Sequence, residues 1–164
     1  MDFPSILADI ESGKSTKEAL DSEISFLKDR GIIKDDMLPV LKEFEHELEV
    51  FFSSVVFKRI ASAEKNGKAD FERPILFSTK VGDTNDDTLV QGVLDVIFLE
   101  GDEAIIVDYK TDKIPTDDIT EIEKIVKERH GMQLDLYAAS VEASGIKVKE
   151  KIVWLIRKEM AVNL

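Results

Sequence analysis

The spacing of apolar residues changes near residue 67 of the chain. Up to Lys65 apolar residues recur every three or four positions, which predicts helices, and beyond Gly67 they alternate or run together, which predicts strands. The predicted strands cover residues 71–81, 88–99, 103–110 and 148–156, with a polar turn over 82–87. The helical period returns from Asp117 to about Ala143. This order of elements predicts an α/β or α+β sheet covered by helices.

Capping signals divide the helical segment into shorter helices. Pro4 opens a first helix, and Ser15 and Glu18 have capping-box spacing at the start of a second, for which Gly31 fits the C-terminal end. A single longer helix is predicted over residues 36–65. Its apolar positions are Leu41, Phe44, Leu48, Phe51, Val55 and Phe57.

Composition narrows the class of protein. The 164 residues correspond to about one domain, with a helical part at 1–66 and a sheet part at 67–164. The absence of cysteine excludes disulfides, iron–sulfur clusters and cysteine nucleophiles, and two histidines are too few for a multi-histidine metal site. No apolar run approaches the roughly 20 residues of a membrane span, so we expect a cytoplasmic protein without membrane contact. The net charge of -12 argues against binding nucleic acid through the domain's own electrostatics.

A predicted hairpin carries the candidate chemistry. Gly101 and Asp102 form a good two-residue loop, and with that loop the numbers of paired residues sum to 203. Asp95 then lies opposite Asp108, on one face of the sheet. Lys110 shares that face because side chains alternate along a strand.

Apolar neighbours on both faces indicate that these two strands lie centrally in a covered sheet. Two carboxylates close together there repel each other, and a divalent cation resolves the repulsion. Oxygen ligands favour Mg²⁺, with Mn²⁺ as the alternative. The competing interpretation is an exposed strand end, where Asp95 and Asp108 are solvated and Lys110 pairs with one of them.

Three motifs in chain order resemble those of RecB-like PD-(D/E)XK nucleases. The motifs are Gly92–Asp95, Asp108–Lys113 and Gln133–Ala138. Within this group the resemblance is strongest to the C-terminal nuclease domains of the AddA helicase–nuclease subunits. Preceding segments at Phe51–Ser54, Arg59 and Phe71–Pro74 resemble those domains too.

The resemblance implies a restriction-endonuclease-like mixed sheet flanked by helices, in which residues 67–164 are the nuclease core. It implies a Mg²⁺-dependent deoxyribonuclease, a hydrolase of the exonuclease type, acting on DNA in repair and recombination. Asp95 and Asp108 would bind the metal, with the backbone carbonyl of Tyr109 as a further ligand. Lys110 would position the attacking water and stabilise charge on the phosphate.

Three more residues receive candidate roles. Gln133 and Tyr137 are four apart and share one face of a helix, which in the family points toward the active site. The alternative for Tyr137 is a core aromatic with its hydroxyl at the edge. Glu72 resembles the family's early acidic residue near the metal, and its alternative is a solvated charge at a strand end.

The chain departs from the family in one respect. RecB-like domains carry a metal-binding histidine in a Gly-Thr-x-x-His context, and no such motif occurs here. His46 is expected to face solvent, whereas His130 is a weak candidate for a role near the site or DNA.

We therefore expect a C-terminal piece of a larger helicase–nuclease, cut downstream of that histidine. Its expected partners are the remaining helicase domains and an AddB-like subunit. The alternative function is a nuclease-like recognition or assembly module that is inactive in isolation.

Overall fold

A computed structural model of the chain describes residues 2–80 and 87–164. Within these ranges the six α-helices are α1 (Phe3–Glu11), α2 (Thr16–Asp29), α3 (Leu38–Glu43), α4 (Glu45–Ser53), α5 (Val55–Lys65) and α6 (Ile119–Glu142). The strands are β1 (Ala69–Lys80), β2 (Asp87–Glu100), β3 (Glu103–Lys110), β4 (Val148–Leu155) and β5 (Met160–Asn163). Short 3-10 turns occupy Asp35–Met37 and Ile156–Lys158. Val81 and most of the predicted turn at 82–87 lie outside the described residues.

The chain divides into two compact units. A helical unit comprises residues 1–67 and 156–159, and a sheet unit comprises 68–155 and 160–164. None of the helices in the described ranges is long and apolar enough to cross a membrane. The α/β class and a mixed sheet are confirmed, in agreement with the restriction-endonuclease-like fold that the resemblance implies.

In the helical unit, the predicted capping box forms. Ser15 accepts a hydrogen bond from the Glu18 backbone N–H, and the Glu18 carboxylate accepts one from the Ser15 backbone N–H at 2.8 Å. The core of this unit is a cluster of phenylalanine rings, in which Phe57 lies 4.9 Å from Phe52 and 5.4 Å from Phe3 between ring centroids. Each such edge-to-face pair contributes about 0.5–1.5 kcal/mol beyond the area that it buries.

The single long helix predicted over residues 36–65 is wrong. A 3-10 turn and the helices α3, α4 and α5 occupy this stretch, with breaks at Phe44 and Ser54. Ser54 is extended (φ -72°, ψ 159°), and its hydroxyl accepts a hydrogen bond from the Phe57 backbone N–H, so it ends α4 and caps α5. Val55, predicted on the apolar face, is 72% exposed because the break changes the helix phase.

The sheet unit contains five strands in the order β1-β2-β3-β4-β5. All neighbours are antiparallel except β3 and β4, which are parallel and are joined through α6. The predicted hairpin register is confirmed, because Val96 pairs with Val107 and Glu100 with Glu103. Gly101 has φ of +65°, which favours glycine at the first loop position.

The predictions for the rest of the sheet unit are mostly confirmed. Strands β2 and β3 are internal, as their apolar flanks predicted. The predicted last run ends as a strand at Leu155, and the sequence pattern missed β5, which returns antiparallel to β4 after a 3-10 turn. Four residues are too few to show a strand period.

Helix α6 packs along one face of the sheet through two apolar clusters. Its first half contributes Ile122 and Val126 to a cluster with residues of β4 and β5. Its second half contributes Tyr137 and Val141 to a cluster with residues of β1, β2 and β3. The side chain of Asp118 caps the helix by accepting a hydrogen bond from the Glu121 backbone N–H at 2.9 Å.

Candidate active site

Asp95 lies where β2 and β3 stop pairing. The last pair of the ladder is Val96 with Val107, so the direct pairing of Asp95 with Asp108 that the register predicted is wrong. The Asp95 carboxylate instead accepts a hydrogen bond from the Tyr109 backbone N–H at 2.8 Å. A carboxylate that accepts from a backbone N–H is held in one orientation by a charge-assisted bond. The Asp95 carboxylate is therefore fixed at the carboxyl end of β3.

The regular alternation of β2 is interrupted at the same place. Leu94 and Ile97 are three residues apart, yet both belong to the apolar cluster that contains Tyr137. Residues three apart in a regular strand face opposite sides, so the backbone changes phase between them. This change of phase accounts for the loss of pairing at Asp95.

Glu72 lies across from Asp95 on β1, between the pairs that Phe71 and Arg73 make with β2. It is exposed, and its φ of +50° is uncommon for a residue with a side chain. Such backbone strain occurs often at functional sites. The strain adds weight to Glu72 as a candidate, although its role stays a prediction.

Asp108 and Lys110 form a buried ion pair. Asp108 is 2% exposed, and the Lys110 ammonium lies 2.7 Å from its Oδ2 oxygen. Apart from this contact, Oδ2 has no hydrogen-bond partner among the described residues. Burial raises the pKa of the Asp108 carboxyl, Lys110 opposes that shift, and the charge of Asp95 adds to it.

The raised pKa of Asp108 predicts a specific dependence of stability on pH. The folded chain holds this proton more tightly than the unfolded chain, so stability falls as pH rises from the ordinary aspartate pKa through the raised one. Replacing Asp108→Asn should therefore raise the melting temperature near neutral pH by about 2–4 °C, equivalent to about 1 kcal/mol. The gain should disappear near and below about pH 4.

Thermal melts over this pH range, in a metal chelator, measure the effect. Asp36→Asn is the matched control because Asp36 is an exposed aspartate. An Asp108→Asn variant less stable than the wild type at neutral pH would contradict the unfavourable burial of the Asp108 charge.

Gln133 and Tyr137 are joined on one face of α6. The Gln133 side-chain amide donates a hydrogen bond to the Tyr137 hydroxyl at 2.7 Å. Tyr137 is 7% exposed and packs in the apolar cluster, so the alternative of a core aromatic with its hydroxyl at the edge describes the ring correctly. A Cβ placed on Gly92 would lie 2.9 Å from Cε1 of Tyr137. The ring therefore fits only because residue 92 has no side chain.

The two histidines have different environments. His46 is 76% exposed and lies 3.2 Å from Glu159, which agrees with the prediction that it faces solvent. His130 is 14% exposed, and its Nε2 atom pairs with the Asp112 carboxylate. Sequence reasoning missed Asp112 as a partner, although its place two residues after Lys110 in the second motif was a usable signal.

A divalent metal would find oxygen donors at the end of β3. The Asp95 and Asp108 carboxylates and the Tyr109 carbonyl are hard ligands of the kind that Mg²⁺ takes. The buried Oδ2 of Asp108 is an acceptor that a cation would satisfy. In residues 2–80 and 87–164, no three histidine, aspartate or glutamate side chains form a ready ligand group. The residues fit a metal held by two carboxylates.

The mixed sheet, the Gly92–Asp95 motif and the buried Asp108–Lys110 pair together define a nuclease class. The family model for the PD-(D/E)XK nuclease superfamily matches residues 6–162. The chain belongs to this superfamily, as its motifs predicted.

The chain is similar to curated proteins named as the A-type component of an ATP-dependent helicase/nuclease. The one from Thermoanaerobacter sp. (strain X514) is 32% identical over 147 residues, which cover 84% of this chain and 11% of that protein. The one from Clostridioides difficile (strain 630) is 28% identical over 162 residues, which cover 90% of this chain and 12% of that protein. The chain thus spans about a ninth of the length of these relatives. The crystal structure of SSO0001 matches with a TM-score of 0.40 and 14% identity, covering 79% of this chain and 60% of that chain.

Proposed function

We propose that the chain is a metal-dependent DNA nuclease domain that hydrolyses phosphodiester bonds as an exonuclease. The observation that carries this proposal is the buried ion pair of Asp108 and Lys110 beside the fixed carboxylate of Asp95. Buried charge of this kind is unfavourable for stability, and active sites are where such charge is retained.

Asp95, Asp108 and the backbone carbonyl of Tyr109 hold Mg²⁺, or Mn²⁺ as the alternative, in this proposal. A bound ion supplies Lewis acidity and a water molecule with a lowered pKa. The Lys110 ammonium orients the attacking water and stabilises the negative charge that develops on the phosphate. Its 21% exposure keeps it largely out of solvent, where electrostatic stabilisation is strongest.

The remaining candidates orient the DNA strand. The Gln133 amide is fixed by its bond to the Tyr137 hydroxyl, so it can donate to a phosphate oxygen from a defined position. Glu72, exposed across from Asp95, is proposed to act near the metal. Each of these roles follows from the family resemblance and stays a prediction.

The chain is proposed to act within a longer ATP-dependent helicase–nuclease of the cytoplasm, in double-strand-break repair and recombination. The names of the relatives support this setting, and the proposed partners are the helicase domains and an AddB-like subunit. Such partners would deliver DNA to a domain whose net charge is -12 and whose own attraction for DNA is weak.

A second candidate function is a nuclease-like recognition or assembly module that is inactive in isolation. The same net charge favours it, as does the absence of a three-residue ligand group among the described side chains. Metal binding by the isolated chain separates the two functions.

Calorimetric titration of Mg²⁺ and Mn²⁺ into the 164-residue chain tests the proposal. We expect one binding event in the wild type and its loss in Asp95→Asn and in Asp108→Asn, because each variant removes a charged oxygen ligand. Asp36→Asn is the matched control and should bind like the wild type. A wild type that binds neither ion, under conditions in which it is folded, would favour the assembly module.

A further inference from the structure

His130 and Asp112 form a contact that connects two parts of the sheet unit. The His130 Nε2 atom pairs with Oδ2 of Asp112, and the two side chains are 14% and 33% exposed. Exposed ion pairs usually contribute about 0–1 kcal/mol, whereas a largely buried pair with a fixed ring has a defined geometry. The pair is separated by 18 residues, so it is a tertiary contact.

Asp112 belongs to the segment that follows the proposed metal-binding strand. Residues 111–118 are neither helix nor strand, and Asp112 is two positions beyond Lys110. Farther along the segment, Ile114 is buried in the cluster beneath the first half of α6. The His130 contact is therefore an anchor between Lys110 and Ile114, where the backbone ladder no longer restrains the chain.

His130 lies on the side of α6 that carries the other site residues. Positions 130, 133 and 137 are spaced by three and four, which places them on one helix face. Gln133 and Tyr137 are hydrogen-bonded to each other on this face. His130 thus extends the face by one turn toward the Asp112 segment.

We propose that His130 and Asp112 are positioning residues that fix the Gln133–Tyr137 face of α6 relative to the Asp108–Lys110 end of β3. This inference rests on the proposed nuclease function, whose residues come from both of these elements. Without the pair, the segment after Lys110 is held to α6 only through Ile114, four residues beyond the lysine. The two halves of the site would then lose their fixed separation.

Electrostatics support the proximity of the pair to the site. Burial raises the pKa of Asp108, and a charged His130 is among the groups that oppose the shift, together with Lys110. His130 therefore lies close enough to Asp108 for their charges to interact. Substitution of residues that orient a site without binding the metal commonly costs about 10–100-fold in activity.

The test compares His130→Ala, His130→Gln and His46→Ala in the full chain. Glutamine can still donate to Asp112, and His46 is a histidine that is also paired with a carboxylate but is far more exposed. With saturating Mg²⁺ and linear DNA, His130→Ala should lower kcat about 10–100-fold with little change in KM, and His130→Gln should restore most of it. Asp112→Ala should match His130→Ala, and the double variant should be no worse, because the two residues act as one unit.

A second readout needs neither metal nor activity. Amide spectra of the metal-free chain should show shifts at Lys110, Gln133 and Tyr137 in His130→Ala, and no such shifts in His46→Ala. Shifts confined to the neighbours of residues 112 and 130, or a His130→Ala variant with wild-type kcat, would overturn the inference. If the wild type cleaves no DNA, the proposed function fails, and the amide shifts alone decide the positioning role.

Discussion

Replacing Lys110→Ala is expected to lower the rate of metal-dependent DNA cleavage by about 10²–10³-fold, the usual cost of removing one group that stabilises transition-state charge. The Lys110 ammonium lies 2.7 Å from the Asp108 carboxylate and is largely buried, so water cannot replace its charge at low cost. The loss should appear in kcat, because the lysine acts on charge that develops during the reaction.

The same substitution should leave metal binding in place. Lys110 contributes no ligand, and its removal takes away a cation that competes for the Asp108 carboxylate. Without Lys110, the pKa of Asp108 should rise further, since Lys110 is the main group that opposes the effect of burial. The apparent metal affinity should then depend more steeply on pH between the ordinary aspartate pKa and neutrality.

Cleavage assays at saturating Mg²⁺, run beside calorimetric titration, separate these effects. Lys113→Ala is the matched control, because Lys113 is an exposed lysine three residues farther along the same segment. A folded Lys110→Ala variant that binds Mg²⁺ and cleaves DNA at the wild-type rate would contradict the role of Lys110. Loss of cleavage together with loss of metal binding would assign the lysine to holding the site instead.

The hairpin of β2 and β3 could be predicted from sequence because its register depends on local chemistry. A two-residue loop that begins with Gly101 leaves one way to pair the flanking strands, and the observed pairs follow it. The end of the ladder could not be predicted in this way. It depends on the Asp95 carboxylate, which takes the Tyr109 N–H that a regular ladder would give to a backbone carbonyl.

The breaks in the predicted long helix show a similar limit. Residues on either side of Ser54 keep a spacing of three or four, so the apolar pattern continues through the break. A serine in that position is compatible with both a helix interior and a cap. The packing of Phe51, Phe52 and Phe57 in one aromatic cluster goes with the bend, and this packing is a tertiary property.

The site residues could be proposed from motif spacing, yet the groups that orient them could not. Asp112 and His130 lie on either side of a segment with no regular structure, so no period relates their positions. Gly92 could be identified as part of a motif, whereas its reason is the ring of a residue 45 positions away, numbered 137. Contacts of this kind become visible only when the packing of α6 on the sheet is known.

Gly92→Ala is expected to destabilise the chain by about 1–3 kcal/mol, the usual cost of overpacking a core position. The added methyl group would lie 2.9 Å from Cε1 and 3.1 Å from the hydroxyl of Tyr137, closer than side chains normally approach. Tyr137 is buried among residues of three strands, so its ring has little room to move. Its displacement would also break the hydrogen bond from Gln133.

Denaturant unfolding of Gly92→Ala measures this cost, and Gly131→Ala is the matched control. A Cβ on Gly131 meets only Cγ of Lys127, at 3.6 Å, and alanine in a helix is favoured over glycine by about 1 kcal/mol. The control should therefore be as stable as the wild type or more so. Gly92→Ala with wild-type stability would contradict the close fit of Tyr137 against β2.

A double-mutant cycle identifies the ring of Tyr137 as the cause. If the methyl group acts through Tyr137, Gly92→Ala should cost much less in a Tyr137→Ala background, where the space it needs is already empty. Equal costs in the two backgrounds would instead point to the backbone of β2, since alanine also restricts the chain at residue 92. The proposed nuclease gives the cycle a functional counterpart, because a displaced Tyr137 would release the Gln133 amide. Cleavage by Gly92→Ala should then fall together with cleavage by Tyr137→Ala, and the two losses should not add.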